Sequence, residues 1–445
     1  MSVSHVKYLL IGGGLASSTA AQAIRALDPR GELMLIGQER IRPYHRPPLS
    51  KGYLRQQRTG RRPELFVQPP EWYADNRVQL RTGVRASHLD ANRRSVALEN
   101  GQEIAFDRLL IATGMSPDHL KIPGHDWPNV HYVRSVDDAD RLHHAIEKAL
   151  GEGLRHERAA SPAAGVGRGR AAVIGGGLLG VELAATLAQL GLAVDLVVSQ
   201  PHPWARFAGE NTGRFIARYL ESRGVSVHVG RPPARLDGDG RAQRVDLGDG
   251  SAPIPCDFVV AAVGATVNRE LLRSTPINSE KAILVDPHCR TNVEGIYAAG
   301  DCCAVYDSLF GKHRVLDHWP NAVLTGHIAG THMAGGEARY DGVNHFDSEI
   351  FDLTLLAWGE PRLVDRRLIR GAGATGNGGN GTAAGDRADL IEIGIAADGR
   401  IAQVLAINHP GESELLRELV ARRVRVEGNE EALKDPSVPL ATLLD

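Results

Sequence analysis

The chain has 445 residues, of which 42% are hydrophobic and 23% charged, and its formal net charge is −2. That length is about three times a typical domain of ~150 residues, so two or three domains are expected. The near-neutral balance excludes a global basic field of the kind that draws nucleic acid. Four cysteines, Cys256, Cys289, Cys302 and Cys303, are too few and too clustered for the disulfide framework of a secreted domain, so a reducing compartment, the cytoplasm, is the expectation.

Polar residues 1–5 lead into an apolar run without a charged region and cleavage site, and no signal peptide is expected. No window reaches the roughly 18 apolar residues that cross a bilayer. Residues 6–11 form a strand pattern, Gly12-Gly13-Gly14-Leu15-Ala16-Ser17 turns the chain, residues 18–27 read as a helix, and residues 32–36 as a second strand. This βαβ unit implies a parallel sheet. Gly12 permits the tight turn, Gly14 lets the backbone approach a pyrophosphate, and Ser17, beside Ala16, takes the place of the third glycine or alanine. The helix start then offers its unpaired N–H groups and positive dipole end to phosphates. At the end of the second strand Glu39 is the candidate ligand of an adenosine ribose, with Gln38 the alternative at that position.

The same grammar returns over residues 171–198. Gly175, Gly177 and Gly180 satisfy the full three-glycine pattern, with Leu178 and Leu179 between them, and Gly191 stops the helix. Gly12 and Gly175 lie 163 positions apart, which suits two nucleotide-binding domains and not a solenoid. The second copy ends its second strand in Ser199-Gln200 with no acid, and His202 and Arg206 follow, so the choice between NADH and NADPH stays open. Residues 155–170, rich in polar and small side chains, and residues 371–385, almost all glycine, alanine, asparagine and threonine, read as insertions, the second as a flexible loop. Residues 351–357 and 389–395 read as strands of a small C-terminal α+β domain.

Residues 42–51 hold three prolines and read as a rigid loop presenting Arg46 and Lys51. This stretch, together with the two glycine turns, Leu109-Leu110-Ile111-Ala112-Thr113-Gly114, Ala261-Ala262-Val263-Gly264 and Gly295-Ile296-Tyr297-Ala298-Ala299-Gly300-Asp301, resembles the FAD-dependent ferredoxin reductases. These are the putidaredoxin reductase and biphenyl dioxygenase ferredoxin reductase group of the pyridine nucleotide-disulfide oxidoreductases, related to apoptosis-inducing factor. The resemblance is faint in the last domain, at Asp347-Ser348-Glu349 and Ser437-Val438-Pro439-Leu440. It implies an α/β fold with two Rossmann-like domains and a small C-terminal α+β domain. The FAD-binding domain would span residues 1–118 and 256–334, the NAD(P)-binding domain 119–255, and the C-terminal domain 335–445 with its loop at 371–387.

Carried over by position, the resemblance places Lys51 beside the flavin N5 edge, ion-paired to Glu182. An ammonium there would stabilise negative charge on a reduced flavin, and the carboxylate would support it against the cost of burial. Asp301, after an apolar strand and before an expected helix, would hydrogen-bond the ribityl chain. Trp319 would lie at the pyrimidine edge, Val84 at the adenine, and Arg46 and Arg134 against FAD. Ala112, Thr113 and Gly114 would mark the crossing between domains, and Gly264 the return crossing near the nicotinamide. The cysteine pair of the disulfide reductases is missing from the first part of the chain, and adjacent Cys302-Cys303 read as core residues. Histidine and cysteine spacings suggest no metal site.

The activity so implied is hydride transfer from NADH or NADPH to FAD, then single-electron delivery to a ferredoxin or other small iron-sulfur protein. Arg55, Arg58, Arg61 and Arg62 are candidates for steering an acidic partner, or form a solvated helix face. Two alternatives share every cofactor residue: a reductase of quinones or other small acceptors, and a redox-sensing flavoprotein. Neither nucleic acid nor a membrane is an expected partner, and a monomer or homodimer is expected.

Overall fold

The computed structural model describes residues 4–57, 65–159, 169–343, 345–371 and 389–444. The arginines at positions 58, 61 and 62, and residues 372–385 of the glycine-rich stretch, lie outside the described residues. The chain divides into two compact units: Met1–Arg46, Glu64–Ser116 and Ala265–His345 form the first, and Pro47–Pro63, Pro117–Gly264 and Phe346–Asp445 the second. No described helix is long and apolar enough to cross a membrane.

In the first unit the strand Ser4–Ile11 lies between Leu33–Gly37 and Glu103–Ile111, parallel to both. Val78–Thr82 extends the sheet beyond Leu33–Gly37, and Ile296–Ala298 pairs in parallel with the end of Glu103–Ile111. Leu9, Leu10, Leu33, Leu35, Leu109 and Leu110 are fully buried in one apolar cluster, as expected for parallel strands covered on both faces. The helix Leu15–Leu27 packs on the helix Trp319–Met333 through small residues. A side chain on Gly326 would strike the backbone of Ala16, and one on Gly330 that of Ala20.

Asp301 does not precede an α-helix. A single 3-10 turn, Gly300–Cys302, is followed by the strand Cys303–Asp307, which pairs in parallel with Ile283–Val285 and antiparallel with Lys312–Val315. The run Cys303-Ala304-Val305-Tyr306 is compact and apolar, and two neighbouring strands complete its hydrogen bonds, so tertiary pairing selects a strand. Cys302 and Cys303 are fully buried, and their thiols donate to main-chain carbonyls of Ile111, Ala299 and Gly300.

The second unit holds a parallel sheet in the order Val225–Val229, Ala193–Val198, Arg170–Ile174, Phe258–Ala261, Val130–His131. The stretch expected as an insertion from residue 155 begins later, because the helix Val136–Ala159 runs through its first five positions. Arginine, glutamate and alanine there favour a helix. Residues 160–168 lie outside the described residues. The last part of the chain adds an antiparallel sheet in the order His345–Ile350, Leu353–Gly359, Ile401–Ile407, Leu390–Ala396, Val364–Arg370.

That sheet grips the segment between the strand Ala193–Val198 and the helix Glu210–Ser222. The buried Glu392 carboxylate accepts the Gly209 N–H at 2.9 and 3.0 Å and the Thr212 hydroxyl at 2.5 Å, and it pairs with Arg367. The Gln403 amide donates to the Phe207 carbonyl at 2.9 Å, and Phe346 meets the Phe207 ring edge-on at 5.2 Å. A buried carboxylate is tolerable only with such partners. Here those partners are the Gly209 N–H and Thr212 hydroxyl at another element's helix start, with Arg367 from the adjacent strand.

One packing detail makes the second unit sensitive to acid. His131 meets Phe258 edge-on, and its Nε2 is buried with no hydrogen-bond partner among the described residues. Burial, reinforced by Arg141 and opposed by Asp138, pushes its pKa down from 6.5 to about 4. The folded state therefore binds fewer protons than the unfolded chain between about pH 4 and 6.5, and stability falls as pH drops through that window. Urea midpoints measured from pH 7 to 4.5 should fall more steeply for the native chain than for His131→Phe. Parallel curves would exonerate this residue.

Candidate functional site

Each unit builds the same apparatus where a glycine turn leads from a central strand into a helix. In the first unit Gly12 has φ 128° and donates its N–H to the Ile36 carbonyl at 2.8 Å. A Cβ there would collide with the Ala112 carbonyl, so only glycine lets strand pass directly into helix. Gly14 is the N-cap, no side chain caps the helix, its first turn carries no acid, and nothing lies within 4 Å of a Cβ built on Gly14. The positive helix end thus faces open space, the arrangement that receives a pyrophosphate. Ala16 and Ser17 are buried just behind it, and the Ser17 hydroxyl has no hydrogen-bond partner among the described residues.

The acid at the end of the second strand is Glu39. Its carboxylate accepts from the Tyr44 hydroxyl at 2.6 Å and pairs with Arg46 at 2.6 Å. Arg46 also donates to Tyr44 at 2.7 Å. Burial works against the Arg46 charge, but Tyr44, Glu39 and Asp301 outweigh it and raise its pKa. Val84 lies beside this group, because its N–H bonds the Gly37 carbonyl at 3.0 Å while the Gly83 N–H bonds that of Glu39 at 2.9 Å. The crossing Ala112-Thr113-Gly114 is held by Asn268, which accepts the Thr113 hydroxyl on its carbonyl and returns its side-chain amide to the Thr113 carbonyl, both at 2.9 Å. Asp301 sits in its 3-10 turn, and Trp319 opens its helix 42% exposed, its indole N–H donating to His45 at 3.0 Å.

The second unit repeats the turn. Gly175 has φ 128°, a Cβ on it would strike the Ala262 carbonyl, and one on Gly180 would strike the Gly175 carbonyl. Gly177 caps the helix Leu178–Gln189 without a side chain and with open space around it. Leu178 and Leu179 are half-buried. The Gly264 carbonyl accepts the Asp118 N–H at 2.9 Å.

This unit also contains Lys51, Arg134 and Glu182. The Arg134 N–H donates to the Asp138 carboxylate at 3.1 Å. Lys51 and Glu182, 131 positions apart in sequence, meet at 3.0 Å with side chains 13% and 11% exposed. The Glu182 carboxylate further accepts from Ser50 at 2.8 Å and Ser348 at 2.6 Å. The 3-10 turn Pro47–Ser50 is anchored to the same helix, since the Thr186 hydroxyl donates to the Ser50 carbonyl at 2.8 Å. The proline-rich loop is therefore a one-turn helix pinned by a buried ion pair. A carboxylate with three donors holds the Lys51 ammonium at a fixed place.

Ser50, Ser348 and Asn268 were not among the residues picked out from sequence. Ser50 lies in the loop of residues 42–51 and Ser348 in the Asp-Ser-Glu motif, both part of the resemblance, and Asn268 carries no signal there. The cysteines contribute no reactive thiolate: all four are free and buried, burial pushes the Cys256 thiol up to about 12, and Cys289, Cys302 and Cys303 are raised as well.

Residues 6–326 match the pyridine nucleotide-disulphide oxidoreductase family. The chain belongs to that family. It is 30% identical over 442 residues to "Probable ferredoxin reductase CtmF" of Castellaniella defragrans, covering 99% of both chains. It is also 30% identical over 436 residues to the biphenyl dioxygenase system ferredoxin–NAD(+) reductase component of Paraburkholderia xenovorans, covering 98% of this chain and 97% of the other. Putidaredoxin reductase, solved in a covalent complex with putidaredoxin, superposes with a TM-score of 0.85 at 25% identity over 99% of this chain and 98% of that one. The fold is accordingly that of the pyridine nucleotide-disulphide oxidoreductases, two dinucleotide-binding folds followed by a small α+β part.

Because Lys51 and Glu182 are buried together, removing one should cost more than removing both. Glu182→Leu leaves an uncompensated ammonium and should lose about 3–5 kcal/mol of stability, whereas the Lys51→Met, Glu182→Leu double variant should recover a large part of it. Denaturant midpoints of the four proteins in this cycle measure the coupling. Strictly additive losses would show that the two charges do not support each other.

Proposed function

We propose that the chain is an FAD-dependent NAD(P)H oxidoreductase of the ferredoxin reductase type, taking hydride from NADH or NADPH and delivering electrons to a small iron-sulfur protein. The observation that carries this reading is the pair of uncapped helix starts behind glycine turns, one in each unit, in a chain that also buries a lysine on a carboxylate. Relatives named as ferredoxin reductases, and a structural neighbour joined to putidaredoxin, support the choice of acceptor. Residues 1–118 and 256–334 would form the FAD domain, 119–255 the NAD(P) domain and 335–445 the C-terminal domain, with the protein working in the cytoplasm.

The first unit suits FAD. Gly12, Gly14, Ala16 and Ser17 would receive the pyrophosphate, Glu39 the ribose hydroxyls, Val84 the adenine, and Asp301 and Trp319 the ribityl and pyrimidine parts. The second unit suits the nicotinamide dinucleotide, with Gly175, Gly177, Leu178, Leu179 and Gly180 at its phosphates and Gly264 toward the nicotinamide. Bound FAD supplies a two-electron acceptor that can release its electrons singly. The protein's part is to bind and orient both dinucleotides and to hold charge at fixed places. Lys51 would provide the positive charge that favours a reduced isoalloxazine ring, Glu182 would keep that ammonium in position, and Arg134 would add a further contact to FAD. Buried cysteines with raised thiols offer no disulfide relay, so this chain's own side chains would serve only to bind and orient the dinucleotides.

Anaerobic mixing of the yellow protein with NADH or NADPH, followed by ferredoxins and quinones, tests the reading. Rapid bleaching and fast reoxidation by a ferredoxin are expected. Reoxidation by quinones alone would make the protein a small-molecule reductase, and slow bleaching with a persistent charge-transfer band would make it a sensor. Lys51→Ala should remain folded and loaded with FAD but be reduced more slowly, on the order of a hundredfold, the scale of losing one preorganised charge donor. An unchanged reduction rate would remove Lys51 from the chemistry.

A further inference from the structure

The two units fold the end of their second strand alike, and their hydrogen bonds give the correspondence residue by residue. Ile36 pairs with Ile11 in the first unit and Val197 with Ile174 in the second. Gly37 then matches Val198, and Glu39 matches Gln200. The correspondence continues past the strand. The Glu39 carbonyl accepts the Gly83 N–H at 2.9 Å and the Gly37 carbonyl that of Val84 at 3.0 Å; the Gln200 carbonyl accepts the Gly230 N–H at 2.8 Å and the Val198 carbonyl that of Arg231 at 3.2 Å. Gly83 and Gly230 share the left-handed conformation, with φ 71° and 69°. Where the first unit has Glu39 and Val84, the second has Gln200 and Arg231.

This exchange bears on which coenzyme is taken. A carboxylate at the strand end binds the 2′-hydroxyl of NADH and repels the 2′-phosphate of NADPH, whereas arginine nearby accommodates that phosphate. Gln200 is exposed and uncharged. Arg231 stands next to it in space, its guanidinium aimed by Asp249 at 2.6 Å and Ser251 at 2.5 Å. Arg206 is exposed on the loop of residues 199–209. That loop is tied down by the Trp204 N–H on the Gly176 carbonyl at 2.8 Å, by Gln403 on Phe207 and by Glu392 on Gly209. His202 is buried and turned onto its neighbour's carbonyl, so it does not compete for the role.

We propose that Gln200, Arg206 and Arg231 make the second unit prefer NADPH to NADH. Gln200 removes the charge that would exclude a 2′-phosphate, and the two arginines attract it, with Asp249 sharing Arg231 and Arg206 contributing the more accessible charge. The proposal rests on the assignment of the nicotinamide dinucleotide to the second unit made above.

Calorimetric titration of the FAD-loaded, full-length protein with adenosine 2′,5′-bisphosphate and with 5′-AMP tests it without turnover. The bisphosphate should bind at least tenfold more tightly than AMP. Gln200→Glu should bring the ratio to one or below. Arg206→Ala and Arg231→Ala should each weaken the bisphosphate while leaving AMP unchanged, and the NADPH-to-NADH ratio of flavin reduction rates should move in parallel. Equal binding of the two nucleotides by the native protein, or a ratio untouched by Gln200→Glu, overturns the proposal with the coenzyme site intact. Failure of both nucleotides to bind, or binding of both that survives Gly177→Asp, overturns the assignment of the coenzyme to the second unit.

Discussion

The carbonyls of Ala112 and Ala262 fill the space that any side chain at Gly12 or Gly175 would need, and both units are organised around this close approach. With the glycine at φ 128°, the central strand can turn straight into its helix and point an uncapped helix start toward solvent. The carbonyl that makes the contact belongs to the next strand inward, at the point where the chain leaves the sheet through Ala112-Thr113-Gly114 or Ala262-Val263-Gly264. Glycine turn and crossing segment are therefore one packing arrangement seen from two sides. A residue larger than glycine would disturb both together.

Much of this was legible in the sequence because the determinants are local. Glycine spacing after an apolar run specifies strand, turn and helix within thirty residues, and the observed elements Ser4–Ile11, Leu15–Leu27 and Leu33–Gly37 differ from the expected ones only at their ends. Glu39 could be named from its distance to the turn. Nothing comparable marked the segment after Asp301, where an apolar run fits helix or strand equally and the strands at Ile283–Val285 and Lys312–Val315 decide. The long-range pairings that hold the site together were illegible for the same reason. Ser348 reaches Glu182 across 166 positions and Asn268 reaches Thr113 across 155, and a serine or asparagine carries no periodic signature.

The buried ion pair shows how remote pieces converge on one atom. Lys51 comes from a short helical turn, Glu182 from the helix behind the second glycine turn, and Ser348 from the first strand of the C-terminal sheet. Burying a charge pair is expensive, and hydroxyls that complete its hydrogen bonds are what make the cost tolerable. A change at either Ser50 or Ser348 therefore weakens the pair without altering Lys51 or Glu182 itself.

Three helix starts in this chain can be compared: those at Gly14, Gly177 and Gly209, all without a side-chain cap from their own segment. Two stay open. The third is filled by Glu392 from the C-terminal sheet, a carboxylate standing where a phosphate would otherwise be welcome. The last part of the chain is consequently no exchangeable cassette. A C-terminal domain grafted in place of this one would have to bring its own acid to that position, or else leave a third helix start unsatisfied and loosen the loop of residues 199–209.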